Sequence, residues 1–168
     1  MDREDNLGKL ILPPNYTEVS GPVVFLAGPI QGAEDWQSKA TELIRKISPS
    51  LHIASPRKEY LDDEFVYEKQ VDWETHYLRR AANNGVILFW LAKENKHNCE
   101  RAYAQTSRFE LAEWKVRSEG EGIKLVIGIE DGFTGARYIR RRFSQDSPYV
   151  SILDSLSATC EKAADLLR

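Results

Sequence analysis

The ten residues Val23-Val-Phe-Leu-Ala-Gly-Pro-Ile-Gln-Gly32 constrain this chain most. Five apolar residues in a row are short for a helix and right for a strand covered on both faces. Gly28 stops the strand and lets the backbone approach a ligand closely, while Pro29 removes a donor and fixes the turn. Helical periodicity follows over 33–47, with Trp36, Ala40, Leu43, Ile44 and Ile47 on one stripe. Strand, glycine turn and helix form the first unit of an open α/β sheet. Ligands of such sheets bind beyond the carboxyl ends of the strands, so residues 28–32 are predicted to wall a site.

The same alternation continues along the chain. Strands are predicted at 51–54, ended by Ser55-Pro56, and then at 85–91, 123–129 and 149–152. Helices are predicted at 66–82, from a Thr106 or Ser107 cap to about residue 118, at 137–143, and at 156–167 with Asp154 as its cap. Residues 57–64 form a charged loop. The polar stretch 92–105 is long for a connection and suggests a lid or binding loop. Residues 1–22 are mostly polar, and 1–20 read as an arm that Leu10-Ile11-Leu12 can pin to the body. The expectation is one domain, 1–168. Its core is a three-layer, flavodoxin-like (Rossmannoid) α/β fold with five parallel strands in the order 2-1-3-4-5.

Several function classes are excluded. A net charge of −3 gives no nucleic-acid or membrane footprint, and no apolar run is long enough to span a bilayer. The basic run Arg137-Tyr-Ile-Arg-Arg-Arg142 reads as a solvated helix face. Cys99 and Cys160 form no CxxC pair, and the acidic N-terminus lacks an apolar leader core, so a reducing cytoplasm is expected. Neither a dinucleotide fingerprint nor a P-loop is present. His52, His76 and His97 are scattered, with no metal-ligand spacing, and His97 reads as a surface residue of the 92–105 loop. No cofactor and no metal are expected.

Carboxylates are the remaining candidates. On the helix 66–82, Tyr67, Val71, Leu78 and Ala81 share a stripe that Glu74 completes. An acid aimed at a sheet must be paired, hydrated or used. On the helix after residue 105, Phe109, Ala112 and Val116 mark the apolar face, bordered by Glu110, Glu113 and Arg117, with Trp114 beyond. Helical spacing does not choose between Glu110 and Glu113. Position favours Glu110, near the end that overhangs the strand edge, where a helix N-terminus keeps a carboxylate ionised.

Three motifs occur in order: Phe25-Leu-Ala-Gly-Pro-Ile30; Trp73-Glu74 followed by Ala81-Ala-Asn-Asn-Gly-Val-Ile-Leu-Phe-Trp90; and Thr106-Ser-Arg-Phe-Glu-Leu-Ala-Glu-Trp114. Together they resemble the nucleoside 2-deoxyribosyltransferase-like family over residues 22–152. The resemblance implies a homo-oligomer that cleaves the N-glycosidic bond of a nucleoside or nucleotide through a glycosyl-enzyme intermediate. It places the nucleophile on Glu110 and the second acid on Glu74, with Asp72 as the alternative if the register slips. The Gly-Pro turn becomes Gly28-Pro29. Trp36, Trp73 or Tyr103 would stack on the base, and Ser107 with Arg108 would meet a 5′-phosphate. The partners implied are a small nucleoside or nucleotide and a free nucleobase. The chain departs from the family pattern at Asn83, where an aspartate is usual, and at Tyr103-Ala-Gln105, which lacks the acid that reads the base. Two other readings are a nucleoside 5′-monophosphate N-glycosidase and a nucleotide-sensing module without turnover.

Overall fold

A computed structural model describes residues 6–58 and 61–168, together with the side chains of all these except Asp62. Residues 1–5 of the acidic N-terminus and 59–60 of the charged loop lie outside the described residues. The strands are β1 (Leu10–Ile11), β2 (Val23–Ala27), β3 (His52–Ala54), β4 (Gly85–Leu91), β5 (Leu125–Ile129) and β6 (Ser151–Leu153). All pair in parallel, in the order β1-β3-β2-β4-β5-β6. The five predicted strands appear in the predicted order. The sheet has six because Leu10 and Ile11 of the arm add an edge strand against Ile53 and Ala54.

The apolar runs explain the layers. Every residue of β2 and β4 is buried. Alternation sends Val23, Phe25, Ala27, Ile87, Phe89 and Leu91 to one core cluster. The other face takes Val24, Leu26, Val86, Leu88 and Trp90. Helices α1 (Trp36–Ile47) and α5 (Leu156–Asp165) cover this second face. Helices α2 (Tyr67–Asn83), α3 (Gln105–Glu121) and α4 (Ala136–Asp146) cover the first.

Three local expectations change. The helix predicted to begin at a Thr106 or Ser107 cap starts at Gln105, after Ala104 in the left-handed region (φ 57°), with no side-chain cap. Ser155, not Asp154, caps α5 by accepting a hydrogen bond from Ala158 N. The stripes on α2 and α3 are also rotated. On α2 the buried residues are Trp73, Tyr77, Leu78 and Ala81, while Tyr67 and Val71 are exposed. The two large aromatics bury more area than Tyr67 and Val71 can offer, so they turn toward the sheet. On α3, Leu111 and Trp114 face the sheet, and Phe109 is 73% exposed.

Candidate functional site

Two turns build the carboxyl edge of the sheet. After β2, Gly28 adopts φ 151°, and a Cβ there would stand 2.2 Å from the Trp90 carbonyl oxygen and 2.7 Å from the Trp36 ring. Only glycine fits so close an approach. Asp35 caps α1, and Trp36, the next residue, donates its indole N–H to the Pro29 carbonyl at 2.8 Å. The Trp36 ring is therefore buried under the turn and is not presented to a ligand.

The 92–104 loop lies against this turn. Asn95 and Lys96 donate backbone N–H groups to the Gly32 carbonyl at 2.7 and 3.1 Å, and Arg101 bonds the Gln31 side chain. Tyr103 packs 3.4 Å from where a Gly32 Cβ would be, and its hydroxyl donates to the Ala92 carbonyl. Tyr103 thus joins the β2 turn to the start of α3. Burial, reinforced by the negative charges of Glu94 and Glu130, pushes its phenol up to about 12.

A cleft of about 550 Å³ opens between α2 and α3. Glu74 lines one wall and Glu110 the other. Burial raises the Glu74 carboxyl above its usual range, against the opposing hydrogen bond from Gln70. Burial raises Glu110 further, to about 8, with the charges of Glu74 and then Glu113 adding to it. The helix N-terminus does not keep Glu110 ionised: the residue sits in the second turn of α3, where desolvation outweighs the dipole, which falls off within the first turn. Two neighbouring acids with raised proton affinity in one cleft form a proton-holding pair.

The remaining sequence candidates are placed as follows. Asp72 is exposed and does not line the cleft. Trp73 is buried; its ring packs 6.3 Å from Phe25 and its N–H donates to the Asn15 carbonyl at 2.7 Å. Ser107 is buried inside α3. The Arg108 guanidinium donates to the Tyr103 carbonyl and to both oxygens of Thr134, and lies 4.4 Å over the Phe133 ring. It therefore braces α3 against the turn after β5. Gln70 belongs to no motif of the sequence, yet its amide reaches Glu74 at 2.9 Å. Its signal was its place four residues before Glu74, on the same helix face. Among the described residues, no group of three or more His, Cys, Asp or Glu side chains could hold a metal ion. No helix of the described residues is long and apolar enough to cross a membrane.

The family model described as nucleoside 2-deoxyribosyltransferase like matches residues 21–132, from the residues before β2 to the turn after β5. The chain belongs to the nucleoside 2-deoxyribosyltransferase-like family. Both walls of the acidic cleft, α2 and α3, lie inside the matched region of this family member. No curated protein matches the chain.

Proposed function

We propose that this protein cleaves and transfers the N-glycosidic bond of 2′-deoxynucleosides by retaining chemistry, with Glu110 as nucleophile and Glu74 as acid and base. The observation that carries the reading is the pair of raised carboxyls facing one cleft in a member of this family. In the first step the Glu110 carboxylate forms a bond to C1′ as the C1′–N bond breaks, and its electron pair leaves with the base. Protonated Glu74 gives its proton to the departing base. In the second step the Glu74 carboxylate takes the proton of an incoming base or water, which attacks C1′ and releases Glu110. Each carboxyl returns to its starting state.

The apolar surface beside the cleft supports a homo-oligomer. Val71, Phe109 and Val116 are exposed on α2 and α3, where a second copy would cover them. Ser107 and Arg108 are engaged within the fold, so the reading does not rest on a 5′-phosphate contact from them. The deciding experiment offers a deoxynucleoside with a different free base. Exchange of base without net release supports transfer. Release to water shows a hydrolase, and a strict need for the monophosphate shows a nucleotide N-glycosidase. Absence of turnover on any nucleoside or nucleotide would refute the enzyme reading.

A further inference from the structure

Gln70 stands one turn before Glu74 on α2, and its Nε2 donates twice. One hydrogen bond goes to Glu74 Oε1 at 2.9 Å and one to the Pro56 carbonyl at 3.0 Å. Pro56 is buried just beyond β3. The next residue, Arg57, reaches α1: it donates to Gln37 Oε1 at 3.2 Å and pairs with Asp35 Oδ1 at 3.0 Å. A continuous set of contacts therefore runs from the cap of α1, across the carboxyl edge of the sheet, to one carboxylate of the cleft. On the facing wall, Glu110 accepts no such bond among the described residues.

We infer that Gln70 is a positioning residue: its carboxamide pins the Glu74 carboxylate to the Pro56 turn and decides which of the two facing acids carries the negative charge before substrate binds. The inference rests on Glu74 and Glu110 being the working pair of the proposed reaction. A donor fixed on a carboxylate stabilises its charged form, and a buried carboxylate without one loses more by ionising. The charge therefore sits on Glu74 and the proton on Glu110. The other groups facing the pair act in the same sense or stand at the rim. Glu113 on α3 adds negative charge beside Glu110. Arg79 and Tyr67 of α2 line the cleft with their side chains exposed. From the β3 side, the Pro56 carbonyl meets Gln70, while Arg57 is turned to Asp35. Before attack, the proton must pass from Glu110 to Glu74, with none gained or lost. Substrate binding is then the event that inverts the resting order, and Gln70 sets how far that order must be shifted.

The test is a site-resolved titration of the glutamate carboxyls by carbon NMR on the full chain, with Glu74→Gln and Glu110→Gln supplying the assignments. In the wild type, Glu74 is expected to lose its proton at lower pH than Glu110. In Gln70→Met, which keeps the length and removes the donor, Glu74 should bind its proton about tenfold more tightly, and Glu110 should move the other way. Gln70→Asn, with a shorter reach, should shift Glu74 in the same direction and serves if the first variant does not fold. An unmoved Glu74 in a folded variant, or Glu110 titrating first in the wild type, would overturn the assignment. Failure of base exchange would strike the glycosyl-transfer reading and leave this titration intact, so the two failures are distinguishable.

Discussion

Replacing Glu110 by glutamine should stabilise the protein at neutral pH and leave its stability nearly unchanged in acid. Burial, the charge of Glu74 and that of Glu113 move this carboxyl from 4.5 to about 8. An acid whose folded value lies above its unfolded value holds its proton more tightly in the native state. Its stabilising share is complete below the unfolded value near 4.5 and is lost as pH rises through the folded value near 8. At about pH 7 the unfolded chain ionises freely while the native chain does not, a cost on the order of 3 kcal/mol. Glutamine has the same shape and no proton to lose, so Glu110→Gln removes that cost. Urea unfolding of wild type and variant at about pH 4 and about pH 7 measures the difference. The gap between the two proteins should be close to zero at the lower pH and favour the variant by roughly 3 kcal/mol at the higher. A gap that is the same at both pH values, or a variant less stable at both, would refute the claim that a desolvated, proton-holding carboxyl occupies this cleft. Gained stability with lost turnover is the expected mark of a functional residue.

Other perturbations probe the frame around the cleft. Gly28→Ala brings a Cβ to 2.2 Å from the Trp90 carbonyl oxygen, and should cost more than about 2 kcal/mol in chemical denaturation. Trp36→Phe removes the 2.8 Å bond to the Pro29 carbonyl, and should cost about 1–3 kcal/mol and lower the thermal midpoint. Glu74→Gln should slow turnover by about 10²–10⁴-fold with an ordinary base and much less with a leaving group that departs without a proton; steady-state rates on both substrates check this.

The central strands were legible because runs such as Val-Val-Phe-Leu-Ala and Gly-Val-Ile-Leu-Phe-Trp-Leu are apolar at every position, which only a doubly covered strand requires. The edge strand was not, since two residues carry no periodicity. Glu74 is an acid on an apolar stripe and lines the cleft, but only half of that stripe turns inward: Leu78 and Ala81 are buried. Tyr67, Val71, Phe109 and Val116 are apolar and lie outward, while Trp73, Tyr77, Leu111 and Trp114 face the sheet. A hydrophobic pattern marks a face that favours cover; it does not say whether the sheet or another chain supplies it. The charge state of Glu110 was equally hidden, because distance from the helix end and loss of water are three-dimensional facts. Spacing on α2 puts Gln70 beside Glu74, but its bond to the Pro56 carbonyl, 14 residues away in sequence, is likewise a three-dimensional fact.

The most direct test of the account is mass analysis of the protein after incubation with a 2′-fluoro-2′-deoxynucleoside, which slows release of the glycosyl-enzyme. The account predicts one added fluorodeoxyribosyl group on the peptide containing Glu110, absent in Glu110→Ala and released again by a free nucleobase. An adduct on a different carboxylate, or base release from the unfluorinated substrate that survives in Glu110→Ala, would contradict it.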